Sequence, residues 1–148
     1  MIIEKSINLP ASLDKVWSEI ENMEDIIRCM PGVEEVKAIG DKRWNIVMKG
    51  KVGFVSVMFD AVMQVKEWQP KTHLETTVDA TARMGLGKAF QKQSLDLERV
   101  SDKETLAKYK ADVTLGGKMG SFGQRIIGGK VDELATGFIN AFTEKLRK

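Results

Sequence analysis

The chain has 148 residues, enough for one domain that buries roughly two thirds of the surface exposed by its unfolded form. With 43% hydrophobic and 30% charged residues and no low-complexity stretch, it reads as globular and not disordered. Twenty-three Lys and Arg against 21 Asp and Glu leave a net charge of +2, scattered along the sequence, which argues against the concentrated basic stripe of a nucleic-acid binder.

Ile2, Ile3, Ser6 and Ile7 open the chain as a short strand that stops at Pro10. A helix is expected next: Ser12 is a suitable N-cap, Asp14 suits the positive helix start, and Leu13, Val16, Trp17 and Ile20 make one apolar stripe. A second short helix, Glu24 to Met30, offers Ile26, Ile27 and Met30 to the same core before Pro31-Gly32 ends it. From Val33 to Leu115 the period changes to two. Breaks fall at Gly40-Asp41, Gly50 to Gly53, Gln69 to Thr72, Met84 to Gly87 and Ser101 to Glu104, the spacing of an antiparallel meander of about six strands. The first strand would make seven.

Residues Gly116 to Gly120 are expected to form a flexible turn, and Ser121 with Gln124 three residues later gives a capping-box signature for a long last helix. Ile127, Val131, Leu134, Phe138 and Phe142 fall on one face of that helix. Lys130, Asp132, Glu133, Thr136, Asn140, Glu144 and Lys145 fall largely on the other. Strand, two short helices, six strands and a long helix make the α+β plan in which helices cover one face of a bent sheet, here as a single domain over residues 1–148.

Alternation then names the residues facing the long helix. Glu75 and Asp79 assign solvent to the odd positions of their strand, which turns Leu74, Thr76, Val78, Ala80 and Ala82 inward. The same rule turns Gln91, Gln93, Leu95 and Leu97 inward on the next strand, and Ala107, Tyr109, Ala111, Val113 and Leu115 on the last. Trp44, Ile46 and Met48, with Phe59, Ala61, Met63 and Val65, hold the alternate positions of the two strands before. This inner face mixes small residues with isolated polar ones. That describes a ligand pocket, or a filled core in which alanines meet bulky helix residues and polar groups find partners. As a pocket, its ligand-binding residues would be Trp44, Met48, Phe59, Met63, Thr76, Val78, Gln93, Tyr109 and Ala111 from the strands. Ile127, Val131, Leu134 and Phe138 would come from the helix. The Gly128-Gly129 pair inside the helix fits either a close approach or hinge at the cavity mouth, or a tolerated local kink.

Catalytic signals are sparse. His73 is the only histidine and is expected on the outer face, so neither a histidine triad nor a multi-histidine metal site can be assembled. Cys29, the only cysteine, excludes an internal disulfide and sits on a mostly apolar helix where an inert thiol is expected. Gly85-Leu86-Gly87 lacks the rest of a dinucleotide fingerprint. No catalytic residue, metal or cofactor is expected. Met1 to Pro10 lacks the apolar core of a signal peptide and no run of 18 apolar residues occurs, so a cytoplasmic protein with at most peripheral membrane contact is expected.

Three segments carry a family resemblance: Pro10-Ala11-Ser12-Leu13-Asp14-Lys15-Val16-Trp17, Met30-Pro31-Gly32-Val33-Glu34-Glu35-Val36, and Gly120-Ser121-Phe122-Gly123-Gln124-Arg125-Ile126-Ile127. Together they resemble the carbon monoxide dehydrogenase CoxG family of the START-like SRPBCC superfamily. The resemblance implies a helix-grip fold with a deep hydrophobic cavity. It also implies a role as accessory to a molybdenum-containing carbon monoxide dehydrogenase or related hydroxylase, in membrane recruitment or in handling a quinone-like acceptor. A non-enzymatic carrier of a quinone-like or lipid-like molecule is the leading expectation. A polyketide cyclase or aromatase using Tyr109, Thr76 or a buried carboxylate, and a protein-binding module, are the alternatives.

Overall fold

The computed structural model describes every residue except Gly53 and Gly123, and every side chain except those two and Val52 and Gln124. Seven strands are paired antiparallel throughout: β1 (Ile2–Leu9), β2 (Val33–Gly40), β3 (Arg43–Val52), β4 (Val55–Gln69), β5 (His73–Ala82), β6 (Gly87–Ser101) and β7 (Glu104–Gly116). Their order across the sheet is β1-β7-β6-β5-β4-β3-β2, so each strand pairs with its sequence neighbour except β1, which crosses to β7. Register shifts in β2, β4 and β6 mark bulges, which bend strands and help curve the sheet. The fold is the α+β helix-grip arrangement expected from the sequence.

Between β1 and β2 lie α1 (Leu13–Glu21) and α2 (Met23–Arg28). Ser12 caps α1 by accepting the Lys15 backbone N–H at 3.2 Å, and the stripe Val16, Trp17 and Ile20 is buried. Trp17 meets Trp68 of β4 with ring centroids 4.9 Å apart. The turn into α1 is held from the far strand: the fully buried Thr105 of β7 donates its hydroxyl to the Ala11 carbonyl at 2.8 Å.

Pro31-Gly32 ends α2 through two close approaches. Gly32 has φ +89°, and a Cβ placed there would lie 2.2 Å from the Lys49 carbonyl oxygen. One of the glycines of the long helix α3 (Gln124–Leu146), Gly137, has no side chain because Pro31 occupies the space: a Cβ there would lie 2.6 Å from Pro31 Cγ. The absence of side chains thus locks the α2–β2 turn against both the sheet and α3.

Three local expectations are corrected. β3 continues through Gly50 to Val52, where a break was expected; Gly53, the rest of that expected break, lies outside the described residues. Residues Gly117–Phe122 form a 3-10 turn with Met119 buried, in place of a flexible link. Ser121 sits inside that turn, where it donates its hydroxyl to the Lys118 carbonyl at 2.6 Å, and α3 begins at Gln124, later than a cap at Ser121 implies. The Gln124 arm of the expected capping box lies outside the described side chains.

Candidate functional site

The buried residues form two packed groups. The larger gathers Val16, Trp17, Ile20, Ile26, Ile27, Trp44 and Leu74 with the end of α3 at Phe142 and Leu146. The smaller joins Val57, Ala82, Met119 and Ile127 near the start of α3. A cavity of about 310 Å³ is lined by members of both groups, with the inner face of the sheet on one side and α3 on the other. That volume is at the lower end of the range of small-molecule sites.

Twelve of the thirteen residues singled out from the sequence line this cavity. Met48, Phe59, Met63, Thr76, Val78, Gln93, Tyr109 and Ala111 do so from the sheet, and Ile127, Val131, Leu134 and Phe138 from α3. Trp44 does not: it is 8% exposed and packed in the larger core group, while Ile46 and Met48, farther along the same face of β3, reach the cavity. Alternation fixes the face of a strand but not the distance along it.

Several lining residues were not singled out as ligand contacts. Ile20 of α1, Ile26 and Ile27 of α2, and Met30 just beyond it also border the space, so the short helices contribute to the wall as well as to the core. Lys130 borders it too, although its helical position suggested the solvent face; its side chain is 28% exposed, with the ammonium 3.8 Å from Glu133. A long aliphatic stem allows a lysine to cover apolar surface while its charge stays wet. Lys49 and Lys51, exposed residues of β3, also touch the cavity and mark a basic rim.

Four polar side chains occur together on the sheet wall. Tyr109 donates its hydroxyl to Gln93 Oε1 at 2.6 Å, and Gln91 Nε2 donates to both Gln93 Oε1 and the Tyr109 oxygen at 3.0 Å. Gln93 Nε2 in turn donates to Thr76 Oγ1 at 3.1 Å. Burial pushes the Tyr109 hydroxyl up to about 12, with the Gln91 hydrogen bond opposing the shift, so the phenol is neutral at physiological pH. Among the described lining residues there is no histidine, cysteine or carboxylate.

The two candidate nucleophile or base residues lie elsewhere. Burial raises the Cys29 thiol, and its Sγ lies 3.5 Å from the Asp25 carbonyl it bonds, an environment that disfavours the thiolate. His73 lies in a cluster of carboxylates from three strands: Nδ1 is 2.6 Å from Asp96, and Nε2 is 3.1 Å from Glu75 and 3.4 Å from Glu67. Its hydrogen bonds to Asp96 and then Glu75 outweigh desolvation and raise its proton affinity above the ordinary value near 6.5. A raised folded-state value means that its stabilising contribution is complete below about 6.5 and is lost as pH rises through the higher folded value. Urea unfolding across that window should show wild-type stability falling more steeply with rising pH than that of His73→Gln. Parallel profiles would contradict this role for the imidazolium.

Neither Gly128 nor Gly129 lines the cavity. A Cβ at Gly128 would lie 3.4 Å from Met1 Sδ, and one at Gly129 would meet nothing within 4 Å. Gly128 instead borders a separate, open groove between β1 and α3 that includes the Lys5–Asp132 ion pair at 2.6 Å.

Comparison with known proteins places this architecture. The model of the CoxG family, described as a carbon monoxide dehydrogenase subunit, matches residues 6–147. The chain belongs to the CoxG family. No curated protein matches it. Among solved structures, a conserved protein from Geobacillus kaustophilus superposes with a TM-score of 0.91 at 23% identity, covering 99% of this chain and 95% of that one. An aromatase/cyclase from Streptomyces gives a TM-score of 0.72 at 12% identity, with 99% and 93% covered. A START superfamily protein from Mycobacterium smegmatis gives 0.63 at 15%, with 98% of each chain covered. At such identities these structures establish the shared fold. Among the described residues no helix is long and apolar enough to cross a membrane.

Proposed function

We propose that this CoxG-family chain is a non-enzymatic carrier that takes a quinone-like or lipid-like molecule into the cavity between sheet and α3, as accessory to a carbon monoxide dehydrogenase-type molybdenum hydroxylase. The observation that carries the reading is the cavity of about 310 Å³, walled mainly by aliphatic, aromatic and methionine side chains. Such a space favours an apolar ligand by removing its surface from water. The family description supports the link to the dehydrogenase. The setting of this role is cytoplasmic, with membrane contact peripheral at most.

A cyclase or aromatase reading calls for convergent titratable groups, whereas the polar wall offers one neutral phenol among amides and a threonine. Carriage therefore fits the chemistry better. Native mass spectrometry of protein purified without detergent, followed by organic extraction, tests it. An apolar molecule should copurify or be taken up on addition. Protein that neither retains nor takes up any quinone or lipid offered would refute the carrier role.

A further inference from the structure

The cavity's four polar side chains leave a specific set of hydrogen-bonding positions unused. Gln91 and Gln93 alternate along β6, with Thr76 opposite Gln93 on β5 and Tyr109 diagonally across on β7. Their orientations are coupled, so that neither amide can reverse alone. Reversing the Gln93 amide would bring its NH₂ against the Gln91 NH₂, and reversing Gln91 would bring its oxygen against Gln93 Oε1.

With those orientations, Tyr109 has spent its proton on Gln93, and Gln91 shares one amide N–H between Gln93 Oε1 and the Tyr109 oxygen, which lie too close together to take one proton each. One Gln93 N–H is spent on Thr76. The second N–H of each glutamine, the Thr76 hydroxyl proton and Gln91 Oε1 have no partner among the described residues. No fully buried side-chain nitrogen or oxygen among those residues is left without a hydrogen-bonding partner, so Gln91 Oε1 is accessible rather than sealed in the wall. The strip thus presents three donors, those of Gln93 and Thr76 side by side, and one acceptor, with no charge. The lysines that border the cavity belong to β3 and α3, on other elements than the polar strip.

We propose that Thr76, Gln91 and Gln93, with Tyr109 holding the two amides, form a head-group subsite for an uncharged ligand bearing a carbonyl or hydroxyl oxygen. This inference rests on the cavity being a ligand site. The paired donors of Gln93 and Thr76 receive the ligand oxygen, and Gln91 Oε1 receives a hydroxyl or N–H proton where the ligand has one. A carboxylate is disfavoured at this position. Ionised groups lose far more on leaving water than neutral ones, and no cation of the strip compensates.

A series on one ring system tests the class: naphthalene, naphthol, acetylnaphthalene and naphthoate, titrated into the whole protein by calorimetry or tryptophan quenching. Naphthol and acetylnaphthalene should bind more tightly than both naphthalene and naphthoate. Thr76→Val keeps the side-chain volume and Gln93→Met keeps most of its length, so each should weaken acetylnaphthalene roughly three- to tenfold, the effect of one lost hydrogen bond. Naphthalene should bind all folded variants alike. Melting curves identify whether each variant is folded, and either one suffices. If naphthalene binds but the ketone gains nothing over it, or if neither substitution affects the ketone, the subsite is refuted and the apolar cavity stands. If none of the series binds wild type, both readings fail together.

Discussion

Replacing Ala111 by Phe should abolish binding of a cavity ligand, lowering affinity by tenfold or more, while leaving a cooperatively folded protein. Ala111 lies in β7, opposite Ile3 of β1 and Gln93 of β6, is 1% exposed, and faces the cavity. In a close-packed interior the added ring would overpack its neighbours and cost about 1 to 3 kcal/mol or more. Here it has space to enter, and the space it takes is the ligand's. Titration with a short-chain quinone, followed by emission of Trp17, Trp44 and Trp68, should show saturable quenching in wild type and none in the variant, with similar melting temperatures. Equal binding by both proteins would remove Ala111 from the ligand's path. A large loss of stability without any wild-type binding would mean that the cavity is not used.

The largest loss of stability is expected from Gly32→Val. Two effects combine: Gly32 holds φ +89°, and its missing Cβ would fall 2.2 Å from a backbone oxygen of β3. A left-handed conformation costs a branched residue roughly 1 to 2 kcal/mol, and relieving the contact adds about 1 to 3 kcal/mol. The obstructing atom is backbone, so no side chain can swing away. The same turn places Met30 on the cavity wall and Pro31 against Gly137, so weaker ligand binding should accompany the destabilisation. Gly129→Ala is the matched control, because its Cβ meets nothing within 4 Å and alanine favours the helix by up to about 1 kcal/mol. Denaturant midpoints should therefore move in opposite directions. A neutral Gly32→Val would show that the turn yields without strain.

The sheet was legible because charge and apolarity alternate cleanly on its longer strands. Glu75 and Asp79 alone fix the orientation of β5, and the inward set Thr76 and Val78 follows. Small Ala111 beside polar Gln93 and Tyr109 left open space and a filled core as alternatives, because residue size on one wall does not say what the facing helix fills. Contacts between distant elements left no such signal. Nothing in Met30-Pro31-Gly32 says which residue of α3 it meets, so the glycine that matters there, Gly137, went unnoticed while the adjacent pair Gly128-Gly129 drew attention. Lys130 was misplaced because helical periodicity describes Cβ directions, whereas its flexible stem decides what it covers. Ser121 has a capping sequence, but a 3-10 turn takes in Gly117–Phe122 and delays the start of α3 to Gln124.

The crossing of β1 to β7 also has a kinetic side. Ile2 pairs with Asp112 and Leu9 with Thr105, so the edge built first during synthesis waits about a hundred residues for its partner. At ribosomal rates of roughly 5 to 20 residues per second, that is a delay of several seconds. The five hairpins from β2 to β7 can zip locally in the meantime, while closing the β1–β7 loop carries the entropy of the longest separation in the sheet. During that interval β1 offers unpaired backbone to any other nascent chain, and the flank of β7 does so from its synthesis until β1 docks. The pairing that completes the sheet is therefore also where misassembly between copies would begin.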